Sequence, residues 1–250
     1  MSAVGIKILH APTAHDPFVV LYKPHGMPSA PLVPGDSDSA FCRACLLFPE
    51  LSGVRGRKEI EHGLLHRLDN DACGLLVIAS TQQSYDALNE SQRNGSFEKT
   101  YDVVCLPNKN NAVELGGFPP VPCSLTIASG EKTTAESAFR PFGAGRGQVR
   151  PVTSESGTAA CRKGGNTIYR TEIEIVSVEE TAATARCRIT AGYRHQVRCH
   201  LAWVGLPVLG DRLYNSCCGK GRTLQFEGSA LCFPHPLTGE KTVFTISGGA

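Results

Sequence analysis

Short apolar runs and two-residue alternation mark several strands along the chain. Residues 17–23 read Pro-Phe-Val-Val-Leu-Tyr-Lys, and residues 74–79 form a continuous apolar run. Runs of this length without polar positions are typical of strands buried on both faces. Residues 97–106 alternate and are rich in β-type side chains, which predicts another strand. Two more β-rich runs, residues 167–178 and 181–190, predict an antiparallel hairpin.

Helix signals occupy three other segments. Thr81 precedes residues 82–93, and its hydroxyl can accept a hydrogen bond from an unpaired N–H at the start of a helix. Residues 195–204 place apolar side chains on one face, and the Gly-Leu-Pro that follows ends a helix there. A shorter helix is expected over residues 40–48.

Residues 107–166 give the weakest pattern, because Pro, Gly, Ser and Asn are dense there. Strand-like pieces occur at residues 123–128 and 135–141. We therefore expect an irregular insertion at about residues 107–166, with its exposed part at residues 142–165.

The chain has 250 residues, which is ample for a hydrophobic core. It shows no internal repeat and no clear boundary, so we expect a single domain over residues 1–250 with its core at about 17–245. No segment approaches the ~18 apolar residues that span a bilayer. Residues 1–10 lack the pattern of a secretory signal. A cytoplasmic location is expected, with a nuclear or mitochondrial location as the alternative.

Eleven cysteines are many for such a chain, but the count is odd and the spacing is not that of a disulfide framework. Reduced thiols in a cytosolic compartment are therefore expected. Cys42 and Cys45 form one close pair, and Cys217 and Cys218 are adjacent. A structural zinc site normally needs two well-spaced pairs, so we expect no metal and keep a zinc-dependent module as a minor alternative.

The net charge is only +2, but the charges are unevenly distributed. Between residues 182 and 226 there are seven Lys or Arg residues and one acid, Asp211. Such a stretch is either a solvated basic surface or a face that contacts phosphates.

Polar residues gather just before the apolar run at 74–79. His66-Arg67-Leu68-Asp69 is followed by Asn70-Asp71-Ala72-Cys73. A carboxylate on a loop beside a buried strand is well placed to be held rigidly in a cleft. The alternative is a surface turn, since Asp-Asn-Asp is common in turns.

A second polar motif surrounds the start of the helix predicted from residue 195. It reads Gly192-Tyr193-Arg194-His195-Gln196-Val197-Arg198. Unpaired N–H groups at a helix start favour anions, and two arginines one turn apart could bind a phosphate or a carboxylate. The alternative is an amphipathic helix with a basic face.

Together these motifs resemble those of RluA-like pseudouridine synthases. Five matching elements occur in that family's order over residues 18–240. They are Lys23-Pro24-His25-Gly26, His66-Arg67-Leu68-Asp69 with Gly74-Leu75-Leu76, Lys99-Thr100-Tyr101, residues 195–202 with residues 205–214, and residues 235–240.

The resemblance implies an α+β fold with a long, mixed, mainly antiparallel sheet, flanking helices and a central RNA-binding cleft. It implies an isomerase that converts specific uridines of rRNA or tRNA to pseudouridine without a cofactor or a metal. The single domain would be the catalytic domain, without an N-terminal accessory RNA-binding domain. A monomer that binds RNA and no membrane is expected.

The resemblance also implies roles for particular residues. Asp69 would be the catalytic carboxylate, Tyr101 would stack on the target uracil, and Arg198 would pair with Asp69. Arg67 would occupy the space left by the flipped nucleotide. The other residues expected to contact RNA are His66, Lys99, Arg194, His195, Gln196, Val197 and Lys23.

Two other functions compete with this one. A catalytically silent RNA-binding or RNA-folding protein could use the same scaffold, but it would not need Asp69, Tyr101 and Arg198 together. A glycoside hydrolase would need a second acid beside Asp69, and Asp71 is too close in sequence to be a secure partner.

Overall fold

The computed structural model describes residues 2–3, 5–33, 35–121, 126–217 and 221–246. The strands are β1 (Ser2–Ala3), β2 (Ile6–His10), β3 (Phe18–Lys23), β4 (Cys73–Ala79), β5 (Glu98–Cys105), β6 (Lys132–Phe142), β7 (Gln148–Val152), β8 (Tyr169–Val178), β9 (Ala183–Ile189), β10 (Phe226–Pro234) and β11 (Lys241–Thr245). The helices are α1 (Ala40–Leu47), α2 (Gln82–Arg93), α3 (Asn111–Leu115), α4 (Thr158–Cys161) and α5 (Gln196–Trp203).

The chain divides into two compact units. The first unit comprises Met1–Lys99 and Glu227–Ala250, and the second comprises Thr100–Phe226. The expected single catalytic domain stays a prediction.

In the first unit, neighbouring strands follow the order β1-β2-β3-β4-β10, and β11 pairs with β10. These pairs are antiparallel except β4 with β10, which is parallel. Every residue of β4 is buried, because β3 and β10 flank it and α2 packs on it. The strands predicted at residues 17–23 and 74–79 are confirmed as β3 and β4.

Helix α2 begins at its predicted cap. The Thr81 hydroxyl accepts a hydrogen bond from the Ser84 N–H at 3.2 Å, and the Ser84 hydroxyl accepts one from the Thr81 N–H at 3.3 Å. This capping box satisfies two donors that the first turn leaves unpaired. Tyr85 and Leu88 of the helix then pack with Phe97 in the core of the first unit.

In the second unit, the strand order is β5-β9-β8-β6-β7, and the pairs β6–β7, β6–β8 and β8–β9 are antiparallel. The predicted hairpin is confirmed as β8 and β9, and the predicted helix at residues 195–204 is confirmed as α5. This helix packs against β7 and β8. The α+β class with mixed, mainly antiparallel strands is confirmed.

Residues 142–165 are not wholly irregular, in contrast to the prediction, because they contain β7 and α4. Arg150 of β7 is buried, with its guanidinium carbon 4.1 Å from the ring centroid of Phe142 and 4.4 Å from that of Phe118. An arginine between glycine-rich segments looks exposed in sequence, so its packing against these aromatic rings could not be predicted.

The strand-like piece at residues 123–128 lies partly outside the described residues, and the piece at 135–141 is part of β6.

Candidate active site

Asp69 follows a segment whose backbone is fixed by Ser29. The Ser29 hydroxyl accepts a hydrogen bond from the Leu68 N–H at 2.9 Å and donates one to the Leu68 carbonyl at 2.8 Å. The Asp69 carbonyl then accepts from the Ala72 N–H at 3.1 Å, which closes a tight turn before β4. The half-buried Asp69 therefore stands on a loop that is held on both sides.

Lys23, the last residue of β3, holds the same loop through its side chain. Its ammonium donates to the carbonyl oxygens of Pro24 at 3.0 Å, Met27 at 2.8 Å, Asn70 at 3.3 Å and Ala72 at 2.5 Å. The side chain is fully buried, and this burial lowers the pKa of Lys23 to about 8. Lys23 was expected to contact RNA, but the structure places its ammonium inside the first unit as a support of the loop.

Gly74 lets two strands approach closely just after this loop. It has φ +130°, and a Cβ built on it would lie 2.4 Å from the backbone nitrogen of Gly228, its register partner in the parallel strand β10. Only glycine combines that backbone angle with that contact. The residue is therefore required by the β4–β10 pairing.

His66 and Lys99 lie around the ring of Phe97 in the first unit. The His66 ring centroid is 6.0 Å from that of Phe97, and the Lys99 ammonium is 5.5 Å from it. Both ring nitrogens of His66 are buried and have no hydrogen-bond partner among the described residues. Burial, with Lys99 nearby, lowers the pKa of His66 to about 3, so the ring is neutral.

Arg67 is exposed, as expected for a side chain that would enter RNA. Its guanidinium lies 3.0 Å from the carboxylate of Glu61, which also pairs with Lys58 at 3.4 Å. Arg67 is exposed, whereas the Glu61 side chain is only 15% exposed, so solvent screens the pair in part and breaking it costs on the order of 1 kcal/mol.

In the second unit, Arg198 forms a buried, bidentate ion pair with Asp211. Its Nε and Nη2 atoms donate to the two carboxylate oxygens, each at 2.7 Å. One of those oxygens also accepts from the N–H groups of Leu213 at 2.9 Å and Tyr214 at 3.1 Å. The guanidinium is thereby fixed in one orientation. The predicted pair of Arg198 with Asp69 stays a prediction.

His195 adopts a left-handed backbone conformation, φ 57° and ψ 15°, immediately before α5. Its Nδ1 lies 3.0 Å from the hydroxyl of Tyr214, which also accepts a hydrogen bond from the Val149 N–H at 2.9 Å. Burial raises the pKa of Tyr214, so its hydroxyl keeps its proton, and because this hydroxyl already accepts from Val149 we infer that it donates to Nδ1. This arrangement assigns the proton of a neutral His195 to Nε2.

Three neighbouring residues that were expected to contact RNA are engaged within the second unit. Gln196 is buried and bonds to the Arg170 carbonyl at 2.9 Å and the Tyr193 N–H at 2.9 Å. Val197 is 4% exposed. Arg194 donates to the carbonyls of Arg146 and Gln148, the first at 2.5 Å and the second at 3.1 Å. The structure thus gives these side chains roles in shaping the start of α5.

Tyr101 of β5 is mostly buried, with its ring centroid 5.0 Å from that of Phe226 at an angle of 37°. A ring held in this way is a firm surface for stacking. Its predicted contact with uracil stays a prediction.

Most of the basic residues between 182 and 226 that the structure describes have intramolecular partners. Arg186 forms a bidentate pair with Asp102 at 2.8 and 3.3 Å, and Arg188 lies 3.7 Å from Glu174 on the neighbouring strand. Arg186 and Arg188 are therefore balanced by acids of neighbouring strands.

Within the described residues, no group of three or more His, Cys, Asp or Glu side chains is arranged to hold a metal ion. Cys218, one of the four cysteines of the zinc alternative, lies outside the described part of the chain. Among the helices that the structure describes, none is long and apolar enough to cross a membrane.

Two residues of this site have roles that the sequence did not indicate. Asp211 and Tyr214 belong to the matching element at residues 205–214, but the sequence assigned neither of them a role of its own. The Gly-Asp-x-x-Tyr spacing could have revealed both, because a buried arginine requires a carboxylate nearby.

The fold is that of pseudouridylate synthase domains. The structure of human RNA pseudouridylate synthase domain containing 1 matches with a TM-score of 0.67 and 16% identity, covering 99% of this chain and 85% of that one. The family model for RNA pseudouridylate synthase matches residues 17–203, well over half of the chain. The chain therefore belongs to the RNA pseudouridylate synthase family.

Relatives support the same assignment. The uncharacterized RNA pseudouridine synthase YlyB of Bacillus subtilis (strain 168) is 26% identical over 232 residues, which are 90% of this chain and 64% of that protein. Ribosomal large subunit pseudouridine synthase D of Zymomonas mobilis subsp. mobilis is 27% identical over 241 residues, 90% of this chain and 65% of that protein. The chain thus spans slightly less than two thirds of the length of these relatives.

Proposed function

We propose that this protein is an RNA pseudouridine synthase, an isomerase that acts on uridines of rRNA or tRNA. One observation supports it most: the matched region, residues 17–203, contains Asp69, Tyr101 and Arg198, and the structure fixes the guanidinium of Arg198 on the buried Asp211. A silent RNA-binding protein has no need of an arginine oriented in this way.

The chemistry fits these side chains. The reaction breaks the bond between N1 of uracil and C1′ of the ribose, turns the base and rejoins it through C5, so it needs neither a redox change nor a second reactant. Asp69 either adds to C1′ or promotes loss of the neighbouring proton, and both routes need the ionised carboxylate. A cation such as Arg198 beside Asp69 would favour that charged form.

The target base must leave its stack before it can react. Flipping a nucleotide costs a few kcal/mol, and stacking on an aromatic ring returns roughly 1–3 kcal/mol per base. Tyr101 supplies such a ring, and the exposed Arg67, whose partner Glu61 is partly buried, is available to enter the space that the base vacates. A monomer in the cytoplasm is part of the same proposal.

The test uses RNA that carries tritium at C5 of uracil, prepared from a strain lacking these modifications. Wild-type protein should release tritium to water, because C5 exchanges its hydrogen for the bond to C1′. Asp69→Asn should release none while binding RNA within about tenfold of wild type. Release by both proteins would remove Asp69 from the mechanism, and release by neither, with binding intact on RNA from cells depleted of the protein, would favour a silent binder.

A further inference from the structure

Lys99 is a buried cation for which the structure provides no acceptor. Its side chain is 4% exposed, and it forms neither a hydrogen bond nor an ion pair with any residue of the described part of the chain. Its one contact of note is with the ring of Phe97, at 5.5 Å. Burying an ammonium without a partner is costly, so such a group points to a ligand that arrives from outside the chain.

The groups around Lys99 are also donors. His66, beside the same ring, is neutral and has one N–H to donate, with no partner for either ring nitrogen among the described residues. Burial, with the charge of Arg57 nearby, lowers the pKa of Lys99 to about 8. The guanidinium of Arg57 is exposed and donates to Asn89 at 2.9 Å, which leaves further N–H groups for a ligand.

A ligand that satisfies these groups must accept hydrogen bonds and carry negative charge. A phosphodiester does both, since its two free oxygens share one negative charge. We propose that Lys99, His66 and Arg57 form a site in the first unit for one backbone phosphate of the RNA substrate. The proposal rests on the proposed function, and it adds Arg57, which no motif in the sequence indicated.

Binding tests the proposal without requiring turnover. Affinity for RNA would be measured against salt concentration with Asp69→Asn as the parent protein, so that a failure of the isomerase function leaves the measurement valid. Adding Lys99→Met should raise the Kd roughly tenfold or more and reduce the slope of log K against log[salt] by about 0.7–0.9, as expected when one phosphate contact is lost. Arg57→Gln should act in the same direction.

The matched control is Arg93→Gln, which removes an exposed arginine of the first unit that pairs with Glu90 at 2.6 Å. It should change the Kd by less than about twofold. If Lys99→Met and Arg57→Gln weaken RNA binding no more than this control, the phosphate site is wrong.

Folding stability separates a ligand site from a structural role. A cation kept for a ligand destabilises the free protein, so Lys99→Met should raise Tm while weakening RNA binding. Inorganic phosphate, compared with chloride at equal ionic strength, should raise the Tm of wild type more than that of Lys99→Met. A lower Tm for Lys99→Met together with wild-type RNA affinity for Arg57→Gln would overturn the proposal, and Arg57 is exposed enough for that variant to fold.

Discussion

Arg198 and Asp211 exchange two hydrogen bonds of 2.7 Å inside the second unit, and both side chains are buried. The carboxylate receives two further backbone N–H groups, so each of its oxygens is satisfied. This pair uses the Nε edge of the guanidinium and thereby determines where its remaining N–H groups point. Asp211 is in this view a positioning residue for Arg198.

Asp211→Asn tests that role. The amide would present N–H groups to the Nε–H of Arg198, so the guanidinium should turn away, and we expect activity to fall about 10²-fold. If Asp211 acts by orienting Arg198, kcat should fall while KM stays near its wild-type value. Tritium release over a range of RNA concentrations measures both quantities.

The control for Asp211→Asn is Asp102→Asn, which disrupts a second bidentate pair, that of Arg186. This pair is partly exposed, so its loss should change stability by less than about 1 kcal/mol and leave kcat unchanged. Equal effects of the two substitutions would assign Asp211 a merely structural role.

The Tyr214 hydroxyl links the backbone of β7 to the ring of His195. Tyr214→Phe should reduce the free energy of unfolding by about 1–3 kcal/mol, because the buried N–H of Val149 loses its acceptor. It should also release His195 to populate both neutral tautomers. Nitrogen-15 NMR of the histidine rings would show this, and an unchanged tautomer in Tyr214→Phe would contradict the assignment of the proton to Nε2.

Alanine substitutions at two glycines with positive φ distinguish the cost of backbone strain from the cost of a steric clash. Gly74→Ala places a Cβ 2.4 Å from the Gly228 nitrogen at φ +130°, so we expect a loss of at least about 3 kcal/mol of unfolding free energy. Gly239→Ala has φ +75° and no atom within 4 Å of the new Cβ, so it should lose only about 1 kcal/mol. Urea unfolding of both variants measures the difference. Similar losses would mean that β4 and β10 move apart enough to accommodate the new Cβ.

The sequence predicted those elements whose signals are local. The cap at Thr81, the apolar run that became β4 and the glycine after α5 each depend on a few adjacent residues. Strand β10 was missed because Gly, Ser and Pro interrupt its pattern, and it forms through pairing with β4, which is distant in sequence, as well as with the adjacent strand β11. The site divides in the same way: motif order indicated Asp69 and Arg198, but the burial of Lys23 depends on four carbonyls that only the fold assembles.

We predict opposite effects on stability when each of the two buried lysines of the first unit is replaced by methionine. Lys23 has four carbonyl acceptors, whereas Lys99 has none among the described residues. Lys23→Met should therefore lower the free energy of unfolding by about 1–3 kcal/mol, because buried carbonyls lose their donor. Lys99→Met should raise it. Urea unfolding at pH 7 compares them directly, and a loss of stability in both would contradict the distinction.

The difference in unfolding free energy between Lys99→Met and wild type should depend on pH, because the pKa of Lys99 changes on folding. Burial lowers the pKa of Lys99 to about 8 from about 10.5 in the unfolded chain, so the unfolded state binds more protons between these values. The ammonium therefore destabilises the folded protein fully below pH 8, by on the order of 3 kcal/mol at most, and this effect is lost as pH rises toward 10.5. Buried cysteines, whose pKa values are raised, act in the opposite direction above pH 9, but they are common to both proteins. The stability gain of Lys99→Met over wild type should thus be largest at pH 6–7 and shrink by pH 10; a gain that stays constant with pH would show that folding does not lower the pKa of Lys99.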